Sequence, residues 1–239
     1  MYMTDLSVRS SEPEIMDDLG CSGPVIGQTL RELEFINKWL GGNAVTTGAL
    51  KSLIRRWPRQ KELRIADLGC GGGDMLRVIH SQTTRMGFRA SLIGIDANPE
   101  IIAYARTNLK DIPDAEFLSL DIFSDAFREL KFDVVIGTLF FHHFSSDSLT
   151  RFLSELKPRV ALGIVINDIH RHYLAYHSIR LLTRVFSKSF MVKHDAPVSV
   201  ARAFSRAELV EILKQAGFEH YTIRWKWAFR WQVLIRIGQ

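Results

Sequence analysis

The sequence predicts an α/β protein: a doubly wound, Rossmann-like, mostly parallel sheet with a C-terminal antiparallel hairpin and a helical cap. Three observations predict it. Short apolar runs alternate with helical patterns between residues 63 and 166, as a parallel sheet covered on both faces requires. A glycine-rich turn, Gly69-Cys70-Gly71-Gly72-Gly73, joins the first of those strands to the first of those helices. Beyond Phe218, odd positions such as Ile223, Trp225, Trp227, Trp231 and Val233 are apolar and alternate with Arg224, Lys226 and Arg230. That is the pattern of a half-buried hairpin, and it assigns the tryptophans to core packing.

The elements follow in order. Residues 1–24 are polar and weakly patterned, and a partly disordered lead-in is expected. Leu30, Leu33, Ile36 and Leu40 recur at helical spacing until Gly41-Gly42 stops the helix. Thr46 or Thr47 can cap a second helix that runs to about Trp57, just ahead of Pro58. Strands are then expected over 63–68, 91–96, 116–120, 132–138 and 160–166, with helices over 74–86, 99–109 and 146–156. A basic and apolar insertion at about 170–203 breaks the alternation, and a helix over 207–216 closes at Gly217. The division is a helical lead-in and lid (1–58) followed by one domain (59–239) carrying the insertion as a cap.

Bulk properties narrow the function classes. The 239 residues are 46% hydrophobic and 24% charged, an ordinary globular balance with material for a sizeable core. A net charge of +5 permits an anionic partner without requiring one. The only cysteines, Cys21 and Cys70, suggest no disulfide framework. The acidic N-terminus lacks the apolar segment of a signal peptide, and no run approaches the roughly 18 apolar residues of a membrane span. A cytoplasmic protein is expected, with peripheral membrane contact left open.

The glycine turn sits where a strand hands over to a helix, so backbone and ligand can approach closely. The following strand ends at Asp96, about 20 residues on, where a carboxylate can accept both hydroxyls of a ribose; the rival role is a helix cap. A dinucleotide site usually reads G-x-G-x-x-G. Here the string is Asp67-Leu68-Gly69-Cys70-Gly71-Gly72-Gly73, which resembles motif I of the class I S-adenosylmethionine-dependent methyltransferases. Three more stretches resemble that family in order: Ile93-Gly94-Ile95-Asp96-Ala97-Asn98-Pro99, Leu118-Ser119-Leu120-Asp121-Ile122, and Phe132-Asp133-Val134-Val135-Ile136 followed by Leu139-Phe140-Phe141-His142-His143-Phe144. The resemblance implies a seven-stranded sheet with S-adenosylmethionine as cofactor. It implies that Gly69, Gly71 and Gly73 shape the loop under the methionine, with Asp67 nearby. By the same resemblance Asp96 holds the ribose, Ala97 and Asn98 flank the adenosine, Asp121 and Ile122 meet the adenine, and Thr138 lines the site.

Methyl transfer needs a general base only if the acceptor must lose a proton. His142, His143 and His170 lie after strand ends where such sheets bind ligands. His170 is favoured, because it belongs to the polar string Asn167-Asp168-Ile169-His170-Arg171-His172, whereas His142 and His143 sit between Phe141 and Phe144. No cysteine or acid stands at metal-ligand spacing around these histidines, so no metal is expected. The insertion combines Tyr173, Leu182, Phe186 and Phe190 with Arg180, Arg184 and Lys188, as an apolar acceptor pocket with a basic rim would. Trp39-Leu40-Gly41-Gly42 and the string from Asn167 to Arg171 also look similar to bacterial methyltransferases of polyketide and phenolic-lipid biosynthesis. That implies a small hydrophobic acceptor, phenolic, quinone-like or polyketide, methylated on oxygen or carbon. The rivals are a nicotinamide dehydrogenase, an RNA-directed methyltransferase and an inactive S-adenosylmethionine-binding protein. No nucleic-acid partner is expected, for want of an appended RNA-binding domain or an aromatic-and-basic stacking motif.

Overall fold

The computed structural model describes residues 4–238. Helices α1 (Pro24–Trp39) and α2 (Gly42–Ile54) precede the alternating part. That part runs β1 (Leu63–Leu68), α3 (Asp74–Arg85), β2 (Ala90–Asp96), α4 (Pro99–Asn108), β3 (Ala115–Ser119), the short α5 (Asp125–Arg128), β4 (Phe132–Thr138), α6 (Ser146–Leu156) and β5 (Val160–Ile169). The cap is α7 (Tyr173–Phe186) and α8 (Phe190–Arg202); α9 (Arg206–Gln215), β6 (Tyr221–Lys226) and β7 (Arg230–Arg236) close the chain. The sheet has seven strands in the order β3-β2-β1-β4-β5-β7-β6, all parallel except β7, which runs antiparallel to both β5 and β6. The order reverses between β1 and β4, and at such a switch point a crevice opens beyond the strand C-termini.

The strands are apolar at nearly every position because both faces are covered. Leu63 and Ile65 of β1 join a core with α2, α3 and α4, while Ala66 and Leu68 join the opposite core with α6 and α9. Fully burying each such aliphatic side chain contributes roughly 1.5–3 kcal/mol. No helix among the described residues is long and apolar enough to cross a membrane.

Three expectations need correction. The lead-in is not loose: from Thr4 on it is a strap docked across the molecule, while residues 1–3 lie outside the described residues. Arg9 donates to the carbonyls of His142, Phe144 and Arg202, and the Asp195 carboxylate accepts from the backbone N–H groups of Ile15 and Met16. A polar segment reads as disordered only while its partners, more than a hundred residues away, are unseen. Second, β5 continues past residue 166, because β7 pairs with it as far as Ile169 and Arg230. Asn167 and Asp168 are therefore fully buried strand residues. Third, only Trp231 of the C-terminal tryptophans is core; Trp225 on the edge strand β6 and Trp227 in the turn are exposed. The alternation ran through a hairpin turn, where period-two reasoning does not hold.

Candidate active site

A cleft of about 490 Å³ opens at the switch point. Its floor is Asp67, the turn from Gly69 to Gly72, Asp74, Asp96 and Ala97; Thr138, Phe140, His142 and His143 form one side. Leu30 and Leu33 of α1, Val192 and Ala196 of α8, and Glu14 and Asp17 of the strap complete it. That volume falls in the range of small-molecule sites.

The local sequence explains the floor. Gly69 has φ +64°, and a Cβ there would collide with the Phe140 ring at 2.1 Å. Gly73, φ +78°, is the N-cap of α3, and a Cβ would press into Leu109 at 2.8 Å. Both positions exclude a side chain on conformation and on space. Asp96 accepts from the N–H of Asn98 at 3.0 Å and of Gly71 at 3.3 Å, which ties the turn to the end of β2. The helix-capping role goes to Asn98, whose Oδ1 accepts from Glu100 and Ile101 while its Nδ2 donates to the Cys21 carbonyl. Asp96 is thus freed from capping.

The floor is strongly acidic. Asp67 is buried, and its Oδ1 has no hydrogen-bond partner among the described residues. Burial, with Asp74 and Asp96 nearby, pushes its carboxyl well above the usual range. Burial also raises Asp74, to about 6, and Asp96, the latter against the pull of its backbone donors. None of the three pairs with a cation among the described residues. Unpaired buried carboxylates are costly and call for a donor or a positive charge. A ligand with an ammonium, a sulfonium and a ribose diol fits that requirement. A dinucleotide pyrophosphate would bring negative charge against three acids.

Over the other side lies a clasp of ion pairs. His142 is buried, with Nδ1 at 2.7 Å from Asp168 Oδ1 and Nε2 at 3.4 Å from Glu14 Oε1. Burial would lower its pKa, but the two carboxylates raise it to about 9, so near neutral pH it is an imidazolium. His143 Nδ1 stands 2.6 Å from Asp17 Oδ1, and Arg202 pairs with the other oxygen of Asp17 and donates to the His143 carbonyl. Glu14 and Asp17 are both held below the usual carboxylate range by these histidines despite their burial, Arg202 adding to the effect at Asp17.

Several expected positions thus come together in the cleft: Asp67, Gly69, Gly71, Asp96, Ala97, Thr138, His142 and His143. Others stand back from its lining. Gly73 and Asn98 shape helix starts, Ile122 is in the core, and Asp121 is exposed, accepting from the N–H of Phe123. His170, favoured above as base, is half-buried outside the lining, its ring 4.7 Å from that of Trp231 and its pKa lowered by burial, His172 and Arg171. The polar string does not present its first members to a substrate either: Asp168 holds His142, and Asn167 donates to the Gly42 carbonyl and Thr46 Oγ1. Sequence reasoning missed Glu14, Asp17, Asp195 and Arg202, whose only sequence signal is that they are charges in segments otherwise weakly patterned.

Comparison with known proteins agrees with this geometry. Residues 65–162 match the family model described as a methyltransferase domain. Trans-aconitate 2-methyltransferase of Escherichia coli is 37% identical over 70 residues, 29% of this chain, and the match spans only 25% of that protein. Among solved structures, the plantazolicin methyltransferase BpumL with SAH superposes with a TM-score of 0.63 at 21% identity, covering 90% of this chain and 89% of that one. Human N-acetylserotonin methyltransferase with SAM gives 0.62 at 16% identity over 90% of this chain and 56% of that one. The CurJ carbon methyltransferase gives 0.62 at 15% identity over 82% and 54%. The family match covers about two fifths of the chain, and the fold is shared with methyltransferases solved with SAM or SAH bound.

Proposed function

We propose that this protein transfers a methyl group from S-adenosylmethionine to a small hydrophobic acceptor of phenolic, quinone-like or polyketide type, on oxygen or carbon. The observation that carries the reading is the set of carboxylates lining the cleft, the buried Asp67 and the partly buried Asp74 and Asp96, none of them paired with a cation among the described residues. They suit a cofactor that carries positive charge. The cofactor supplies an activated methyl group on a sulfonium. Asp96 would hold its ribose, the Gly69–Gly71 turn and Asp67 its methionine part. The strap and α8 exclude water, and orientation of this kind is worth on the order of 7–11 kcal/mol at best. Apolar Leu30, Leu33, Val192 and Phe140 in the lining favour a hydrophobic acceptor. Relatives of the same fold whose names specify aromatic or natural-product acceptors support that choice.

For an acceptor that loses a proton, the base we assign is His143. It lines the cleft, and Asp17 orients its Nδ1, as a base needs. His142 is already protonated near neutrality and cannot accept. Calorimetry with S-adenosylmethionine, its demethylated product and NAD tests the cofactor half of the reading. Binding of NAD with no signal from the other two would overturn it. Mass-spectrometric turnover of a panel of alkylated phenols and hydroxyquinones tests the acceptor half.

A further inference from the structure

We propose that the outer face of the cap, with the ends of α1 and the β6–β7 turn, is a docking surface for an anionic lipid bilayer. On α7, Leu174, Leu181 and Val185 fall at i, i+7 and i+11 and so share one helix face, and all three are exposed. Phe186 and Phe190 flank the turn into α8; Phe186 is 77% exposed. The surface continues onto α1. Glu32 accepts from the backbone N–H groups of Lys188 and Ser189, which places the next two turns of α1 beside that corner. Those turns expose Phe35 and, at 72%, Trp39. Past Trp39 the backbone carbonyl of Trp227 lies 3.9 Å from where a Gly41 Cβ would stand, and Trp227 is 70% exposed. A run of exposed aromatic and aliphatic side chains on this scale marks an interaction site, since scattered surface hydrophobes do not line up across three elements.

The charges select the partner. Arg180, Arg184, Lys188 and Lys193 are all exposed around this face. Of the acids close by, Asp195 is buried holding the strap, Glu32 is bonded to the α7–α8 turn, and the exposed Glu34, next to Phe35, belongs to the lining of the cleft. Apolar side chains rimmed by cations, with tryptophans at the border, match an interface of acyl chains beneath anionic headgroups. A second copy of this chain is a poorer occupant, because a two-fold contact would bring the same cations against each other. The location also fits. The elements that carry the patch wall the cleft with their other faces, Leu30 and Leu33 from α1, Val192 and Ala196 from α8. A bilayer on this surface lies beside the place an apolar acceptor must reach, although the docking itself does not rest on the methyltransferase reading.

Co-sedimentation of the full chain with vesicles tests the proposal. The expected result is pelleting with vesicles of equal parts phosphatidylcholine and phosphatidylglycerol, and roughly tenfold weaker binding with phosphatidylcholine alone or in high salt. The pair Phe186→Ser with Phe190→Ser should lower binding to anionic vesicles by roughly tenfold or more. The pair Arg180→Glu with Arg184→Glu should do the same, and both should keep the wild-type circular dichroism spectrum and affinity for the demethylated cofactor. Wild type left in the supernatant with anionic vesicles would overturn the proposal, as would serine variants that pellet like wild type. A wild-type dimer that the serine pair turns into a monomer would also overturn it, by placing a second copy on this face.

Discussion

The floor of the cleft and its roof are fixed by different means. The floor, from β1 to the end of β4, is shaped by backbone: a turn with left-handed glycines, strand ends in register, and a carboxylate held by the N–H groups of Asn98 and of the glycine turn. The roof is made of side chains that meet across the whole sequence: Glu14 and Asp17 on His142 and His143, Asp195 under the strap, Arg202 across both. Such a roof can be rebuilt charge by charge, and it can respond to pH.

The largest expected effect is on turnover. His143→Ala should lower turnover of a phenolic acceptor by roughly 10²–10⁴-fold while leaving affinity for the demethylated cofactor nearly intact, and His170→Ala should do neither. A pH–rate profile for each variant checks this. An unchanged rate in His143→Ala would leave proximity alone to drive the transfer.

Next is stability. Asp168→Ala strands a buried imidazolium with Glu14 as its remaining partner and leaves the His142 N–H without its acceptor. Removing one partner of a buried pair costs about 3–5 kcal/mol, so the urea midpoint should fall markedly. A midpoint within error of wild type would show that His142 is neutral and the clasp weak.

On the floor, Asp96→Ala should weaken cofactor binding by roughly 10–100-fold, the equivalent of one buried acceptor lost, with little change in hydrogen exchange of the strap. Calorimetry on the variant measures it. Unchanged affinity would remove the ribose from Asp96.

The same division decides what was legible in the sequence. The places of Asp67, Gly69, Gly71 and Asp96 in the cleft were readable because they follow from position after a strand, and a strand is visible as an apolar run. His142 and His143 were found as residues, but not as a clasp, since no periodicity links residue 142 to residue 14. His170 was overrated because Asn167 and Asp168 looked like loop; pairing with β7 turns them into buried strand, and that pairing is non-local. Trp227 was assigned to the core because alternation carries no mark of where a hairpin turns. The missing information in each case is tertiary: which charge meets which, and which strand lies beside which.

The smallest expected effect is the most specific to the roof. His142 has a folded pKa of about 9 against an ordinary value near 6.5. A group whose pKa is raised by folding contributes stability that is fully present below its unfolded value and is lost as pH rises through the folded one. Glu14 and Asp17 are lowered, so their contribution is present above the ordinary carboxylate range and is lost as pH falls. The strap should therefore be held most firmly between about pH 5 and 6.5 and loosen toward pH 9. Backbone hydrogen exchange, corrected for its intrinsic pH dependence, should show residues 9–18 losing protection several-fold between pH 6 and 9, while β1 and β4 keep theirs. Glu14→Gln should flatten that dependence without abolishing cofactor binding, because it removes one of the two carboxylates that hold the proton on His142. If the strap loosens equally in Glu14→Gln, or if β4 loosens with it, the pH response belongs to the whole fold rather than to the clasp.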